Sequence, residues 1–301
     1  MNENKLWCKT FDINDLTNLK DEFDKNGFAV INNAFASFEL EEMRDRIKEI
    51  VDQMNPADHP KSVFTTYDEQ KQARDKYFLE SSDKIRFFYE EGAFDNQGNL
   101  LVSKELALNK VAHALHWLDN VFKKHTFSQK IKDIVKALHF NEPVVAQSMY
   151  IFKQPKIGGP VNEHVDATFL YTEPNDHLLG LWIAIDDADL CNGCLSFIPG
   201  SHKVDSIKYR YKRTHQREGE ILKFEGNKPV YMQSEYVSVP VQKGSVVVIH
   251  GCVAHKSEAN VSSKPRHAYT LHVIDMKGAT YDADNWLQPT DQYSFPNLYE
   301  N

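Results

Sequence analysis

The feature that most constrains this chain is a change of texture near Val144. Before it, apolar residues recur at helical spacing. After it come short runs of β-branched and aromatic residues broken by Gly and Pro turns. The first part predicts helices over Asp12–Lys25, closed by the Asn26-Gly27 C-cap signal, and from Ser37 to about Val51, with Leu40, Met43, Ile47 and Ile50 on one face. A short strand, Phe28–Ile31, separates the two, and further helices are predicted over Leu106–Phe122 and Gln129–Leu138. The second part predicts strands over Val144–Phe152, Leu178–Ile185, Leu195–Ile198, Tyr236–Val241, Ser245–Ile249 and Ala268–Ile274. That pattern fits an all-β barrel or sandwich. Lys203–Gln233 is charged and weakly patterned; it reads as a surface excursion of the kind that often forms a lid. The expectation is one α+β domain over residues 1–301. Residues 1–140 form mainly helical support, and residues 141–301 form the β core with an insertion at 203–233.

Composition excludes several functions. Apolar residues make up 41% of the chain, enough for a real core. The formal net charge of −8 argues against a nucleic-acid partner, which needs a basic face. No apolar run approaches a membrane span, Met1–Lys9 lacks the apolar core of a signal peptide, and Leu298–Asn301 is not a peroxisomal address. A cytoplasmic location is expected. Cys191 and Cys194 form a lone Cys-x-x-Cys pair; with no second pair for a zinc ribbon, buried or turn thiols in a reducing compartment are expected, together with Cys8 and Cys252.

Two segments carry chemistry. His164-Val165-Asp166 puts an imidazole and a carboxylate two residues apart, on one side of a strand. In a chain with thirteen histidines such a pair arises by chance, so it needs corroboration. That comes from Ile249–Ser257, where His255 ends a strand region and is followed by Ser257 and Arg266. Two histidines and one carboxylate make the facial triad of non-haem Fe(II) oxygenases, which leaves coordination positions open for a 2-oxo acid and dioxygen. Arg266 would offer a planar fork to the far carboxylate of that acid, and Ser257 a hydroxyl.

Here the sequence resembles the phytanoyl-CoA dioxygenase family. The resemblance spans essentially the whole chain and is carried by Gln147–Pro155, His164–Pro174, Asn192–Leu195 with Pro199–His202, and Asn285–Pro289. It implies a double-stranded β-helix (jelly-roll, cupin-like) core with an N-terminal helical layer. It also implies turnover of 2-oxoglutarate and dioxygen to succinate and CO₂, coupled to hydroxylation of a small-molecule substrate, a lipid or acyl-CoA among the candidates. By position, His164, Asp166 and His255 resemble the iron ligands. Arg266 and Ser257 match the grip on the far carboxylate of 2-oxoglutarate. Trp182, Met149 and Lys110 match residues around that co-substrate, Lys110 coming from the helical layer.

Each residue has a blander reading. His250 rivals His255, yet only His255 has serine two residues on. Trp182 and Met149 are core by default, Lys110 a solvated lysine, Arg266 a surface arginine, and His202 a turn residue. His113 and His116 stand three apart on an expected helix without a carboxylate partner. A cupin-like isomerase or hydrolase could use the same three ligands but has no need of Arg266 with Ser257. A binding protein would not need an intact triad, and a halogenase would replace Asp166. The basic run Lys208, Arg210, Lys212, Arg213 and Arg217 could meet CoA phosphates, but such runs are usually solvated, and phytanoyl-CoA is not inferred as the substrate.

Overall fold

The computed structural model describes residues 9–63, 75–216 and 218–301. Cys8 and Arg217 therefore lie outside the described residues. Two sheets face each other. The larger has eight strands in the order Thr10–Asp12, Phe28–Asn32, Val246–His250, Leu178–Ala184, Ala268–Asp275, Pro143–Ile151, Leu108–His113, Ile85–Tyr89. The smaller has four, in the order Val237–Val239, Leu195–Phe197, His255–Ser257, Val161–His164. This is the expected jelly-roll core.

The large sheet is buried on both faces, and the pleat sorts its residues. Leu179, Leu181 and Ile183 alternate with Gly180 and Trp182; Tyr269, Leu271 and Val273 alternate with Thr270 and His272. The first set of each strand joins the apolar cluster that also holds Leu19, Leu40, Met43 and Ile47 from the helices. The second set faces the small sheet. The helix Ser37–Gln53 presents Leu40, Met43, Ile47 and Val51 to the sheet, at helical spacing. Ala36, not Ser37, takes its cap position, where the Glu39 carboxylate accepts the Ala36 N–H at 2.8 Å.

Four expectations need correction. The first predicted helix is shorter: it spans Leu19–Asn26, ending with Gly27 at φ 83. Positive φ costs glycine little, and a Cβ there would also meet His202 Nδ1 at 2.6 Å. Residues 1–140 are also more than helical support, since they supply four of the eight strands of the large sheet. The predicted helix Leu106–Phe122 is broken into Lys104–Ala107, the strand Leu108–His113 and two short helices, Leu115–Leu118 and Asn120–Thr126. Pairing with Pro143–Ile151 and Ile85–Tyr89 overrides the helical rhythm there. Finally, 203–233 is not simply a solvated excursion: Arg210–Arg213 and Leu222–Glu225 pair as an antiparallel hairpin with Tyr211, Ile221 and Leu222 buried. Among the described residues no helix is long and apolar enough to cross a membrane.

Candidate active site

His164 ends its strand directly opposite His255, and the two rings lie 4.2 Å apart at their centroids. The turn after His250 carries the chain from the large sheet to the small one, which places His255 in the interior. Asp166 is not on the strand, as simple alternation suggested; it opens a 3-10 turn, Asp166–Thr168, that swings its carboxylate inward. One ligand atom from each of the three lies within 4.8 Å of the others. Asp166 Oδ1 is 3.5 Å from His164 Nε2 and 3.7 Å from His255 Nε2.

The outer ring nitrogens decide what this cluster can bind. His164 Nδ1 is 2.8 Å from Asn162 O, and His255 Nδ1 is 3.0 Å from Val253 O. A carbonyl only accepts, so each Nδ1 carries the proton and each Nε2 lone pair points at the carboxylate. Burial, with His164 beside it, pushes the His255 pKa down to about 4, so its ring is neutral near pH 7. Burial alone would raise the Asp166 pKa, but the His272 imidazole beside it, which donates to its carboxylate, holds it well below the usual carboxylate value. Two imidazole Nε2 atoms and a carboxylate facing one point fit a divalent transition metal.

Arg266, Ser257, Trp182, Met149 and Lys110 border the same cavity, of about 160 Å³, as the three ligand-type residues. Arg266 is only 2% exposed. It donates from Nη2 to Ser257 Oγ at 3.2 Å, while its Nε and Nη1 have no hydrogen-bond partner among the described residues. Burial lowers its pKa to about 10, leaving it charged near neutral pH. The Trp182 ring lies 5.2 Å from the guanidinium. Ser257 in turn donates to Gly193 O at 3.2 Å. Lys110 lies on the strand Leu108–His113 rather than on a helix, with Nζ 3.9 Å from Met149 Sδ; burial lowers its pKa to about 7. His250 is elsewhere, packed against Phe23 and His202. His113 and His116 do not share a helix: His113 meets Ser81 Oγ at 2.7 Å, and His116 bridges Ser148 and Tyr293.

Sequence reasoning missed several polar residues of the cavity wall, among them Glu90, Gln147, Lys153 and His272. Glu90 is buried, and that burial raises its pKa despite the Asn109 and Gly159 hydrogen bonds. Lys153 donates to the carbonyls of Gly159 and Glu258 at 2.8 and 2.7 Å. The available signal was the polar half of the alternation Tyr269-Thr270-Leu271-His272-Val273, which resembles a solvent face. The far end of the cavity is aromatic, with Phe78, Phe169, Phe224 and Trp286 in its wall; Phe224 comes from the 203–233 hairpin. Three residues of the basic run in that segment make internal contacts. Arg210 meets Asp282 at 3.1 Å, Lys212 meets Asp284 at 3.1 Å, and Arg213 donates to Trp286 O at 2.8 Å.

The chain is similar to known proteins along most of its length. It is 58% identical over 287 residues to the phytanoyl-CoA dioxygenase domain-containing protein 1 homolog of Caenorhabditis briggsae, covering 95% of this chain and 100% of the relative. It is 47% identical to phytanoyl-CoA dioxygenase domain-containing protein 1 of Bos taurus over 92% of this chain and 96% of the relative. Among solved structures, the epimerase SnoN, in complex with Fe3+, alpha ketoglutarate and nogalamycin RO, superposes with a TM-score of 0.62 at 15% identity over 94% of this chain and 92% of that one. EctD from S. alaskensis with 2-oxoglutarate and 5-hydroxyectoine gives 0.57 at 16% identity, over 86% and 76%. The family model for phytanoyl-CoA dioxygenase (PhyH) matches residues 23–268. The chain belongs to the phytanoyl-CoA dioxygenase family.

Proposed function

We propose that this protein is an Fe(II)- and 2-oxoglutarate-dependent dioxygenase, an oxidoreductase that hydroxylates a small molecule. In the overall reaction 2-oxoglutarate loses CO₂ to become succinate, which takes one oxygen atom of O₂, and the substrate C–H becomes C–OH with the other. His164, Asp166 and His255 would hold the iron, which when bound supplies the redox chemistry that couples the 2-oxo acid to dioxygen.

The observation that carries the reading is Arg266. A charged guanidinium, buried with Nε and Nη1 unpaired among the described residues, is costly unless an anion meets it. It borders the cavity that holds the three ligand-type residues, so the anion it suits is one end of a small molecule whose other end reaches the metal. A dicarboxylate with a 2-oxo group has that form. Arg266 would grip the far carboxylate through charge-assisted bonds, with Ser257 beside it and Trp182 flanking the guanidinium. Lys110 and Met149 would close the same end, and the buried wall keeps water from competing for these bonds.

The substrate would lie toward Phe78, Phe169, Phe224 and Trp286, a wall suited to an apolar body such as a lipid chain. The hairpin carrying Phe224 would act as a lid over it. A CoA headgroup gains little support from Arg210 and Lys212, which already pair with Asp282 and Asp284, or from Arg213, which donates to Trp286 O.

Succinate and CO₂ release from 2-oxoglutarate, measured with Fe(II) and O₂ and no added substrate, tests the class directly. Slow release is expected from the unaltered protein and from His250→Ala, and none from His255→Ala. Absence of release from the unaltered protein, together with no Fe(II) binding, would reject the reading.

A further inference from the structure

A row of three residues crosses the cavity face of the large sheet. Gly180, His272 and Gln147 stand opposite one another on the strands Leu178–Ala184, Ala268–Asp275 and Pro143–Ile151. Gln147 Nε2 lies 2.9 Å from His272 Nδ1. His272 Nε2 lies 3.2 Å from Asp166 Oδ2. A carboxylate only accepts, so His272 donates from Nε2, and its Nδ1 receives the amide N–H of Gln147. Gly180 supplies the space: a Cβ there would stand 3.2 Å from Asp166 Oδ2 and 3.2 Å from Ile249 Cβ. The Asp166 carboxylate thus packs against the glycine, one oxygen tied to His272 and the other facing the Nε2 atoms of His164 and His255.

We propose that His272 is a positioning residue, set by Gln147 and given room by Gly180, that ties up the outer oxygen of Asp166 so that this side chain gives a metal one oxygen and no more. The inference rests on the iron reading above. A carboxylate that chelates through both oxygens takes a further coordination position. The reaction needs that position, because both arms of the 2-oxo acid and dioxygen must be accommodated beside three protein ligands. His272 is 8% exposed, so water is a poor substitute donor to Oδ2.

The test is nitric oxide, a stand-in for dioxygen, titrated anaerobically into protein with Fe(II) and 2-oxoglutarate at verified full occupancy and read by electron paramagnetic resonance. His272→Leu, similar in volume but lacking the donor, should weaken nitric oxide binding by roughly tenfold or more, the scale of losses seen when a ligand's hydrogen-bond partner is removed. His272→Gln, which restores an N–H donor at similar reach, should recover most of the loss. Gln147→Leu should give a smaller loss of the same kind. Unchanged nitric oxide binding in His272→Leu, or no rescue by His272→Gln, overturns the proposal. A His272→Leu protein that cannot be loaded with Fe(II) also overturns it, since His272 would then be holding the ligand set together rather than dividing the carboxylate. If the unaltered protein takes up no Fe(II), it is the functional reading that fails.

Discussion

The two faces of the large sheet use the same strands for opposite purposes. On Ala268–Asp275, Tyr269, Leu271 and Val273 pack into the apolar cluster beneath the helices, while Thr270 and His272 border the cavity. Both sets are buried. On the helical side, interlocking hydrocarbon excludes water and any loss of volume is felt as instability. On the cavity side, burial is incomplete in a different sense. Arg266 and Gln147 keep polar atoms without partners among the described residues, so that face is held at a cost that a bound ligand can offset. The difference teaches that stability and function are separated here by the two-residue pleat, not by distance along the chain.

Breaking the cavity face at its centre should have the largest effect. Asp166→Ala removes the only carboxylate of the cluster, and Fe(II) binding, followed by anaerobic titration, should be lost with all 2-oxoglutarate turnover. Full Fe(II) occupancy in that variant would place the metal elsewhere.

Arg266→Ala comes next. Losing one partner of a buried charge pair costs roughly 3–5 kcal/mol. Affinity for 2-oxoglutarate, measured by calorimetry on the Mn(II) protein without oxygen, should therefore fall by roughly two to four powers of ten. Arg266→Lys should recover only part, because an ammonium cannot reproduce the planar fork. Metal affinity should hold. The ligand-free protein should be no less stable, since an unpaired buried cation has been removed. Unchanged 2-oxoglutarate affinity would remove the argument for a dicarboxylate.

The matching change on the other face is Leu179→Ala, one residue from Gly180, fully buried in the apolar cluster and outside the cavity wall. It should cost about 2–5 kcal/mol of unfolding free energy by denaturant titration. The molecules that remain folded should bind Fe(II) and 2-oxoglutarate normally. A selective loss of ligand affinity would mean that the two faces are coupled.

Acid probes both faces more gently. Burial depresses His255 on the cavity side to about 4, His267 on the helical side to about 4 and His116 to about 3. Above the ordinary histidine pKa both the folded and unfolded chains hold these rings neutral. As pH falls below about 6.5 the unfolded chain takes up protons that the folded one refuses, so stability should drop between about 6.5 and 4. The slope is on the order of 1.4 kcal/mol per pH unit for each such ring. Urea midpoints measured across that range would check it, and a flat profile would contradict the burial of these rings.

Much of the site was legible because its chemistry is local. His164-x-Asp166, His255 with Ser257, and Arg266 lie in short segments, and all of them border one cavity. The choice of His255 over His250 likewise rested on the serine two residues on; the structure puts His250 against Phe23, away from the cavity. Lys110 was named but assigned to a helix, because the helical rhythm of Leu106–Phe122 says nothing of the strands that pair with it on either side. Gln147 and His272 were invisible. They lie 125 positions apart and meet only because their strands are neighbours in register.

The sequence by itself determined which side chains could serve as ligands and which segments of the C-terminal half alternate with a period of two. Those are properties of residue type and local period, which need no partner to be expressed. Tertiary structure alone decided which face of each two-sided strand would be the cavity. Alternation marks two faces but does not say what covers either one. Only when the small sheet closes over Thr270, His272 and Gly180 does the polar half of the pattern become an interior rather than a surface, and only then do Asp166, His272 and Gln147 meet.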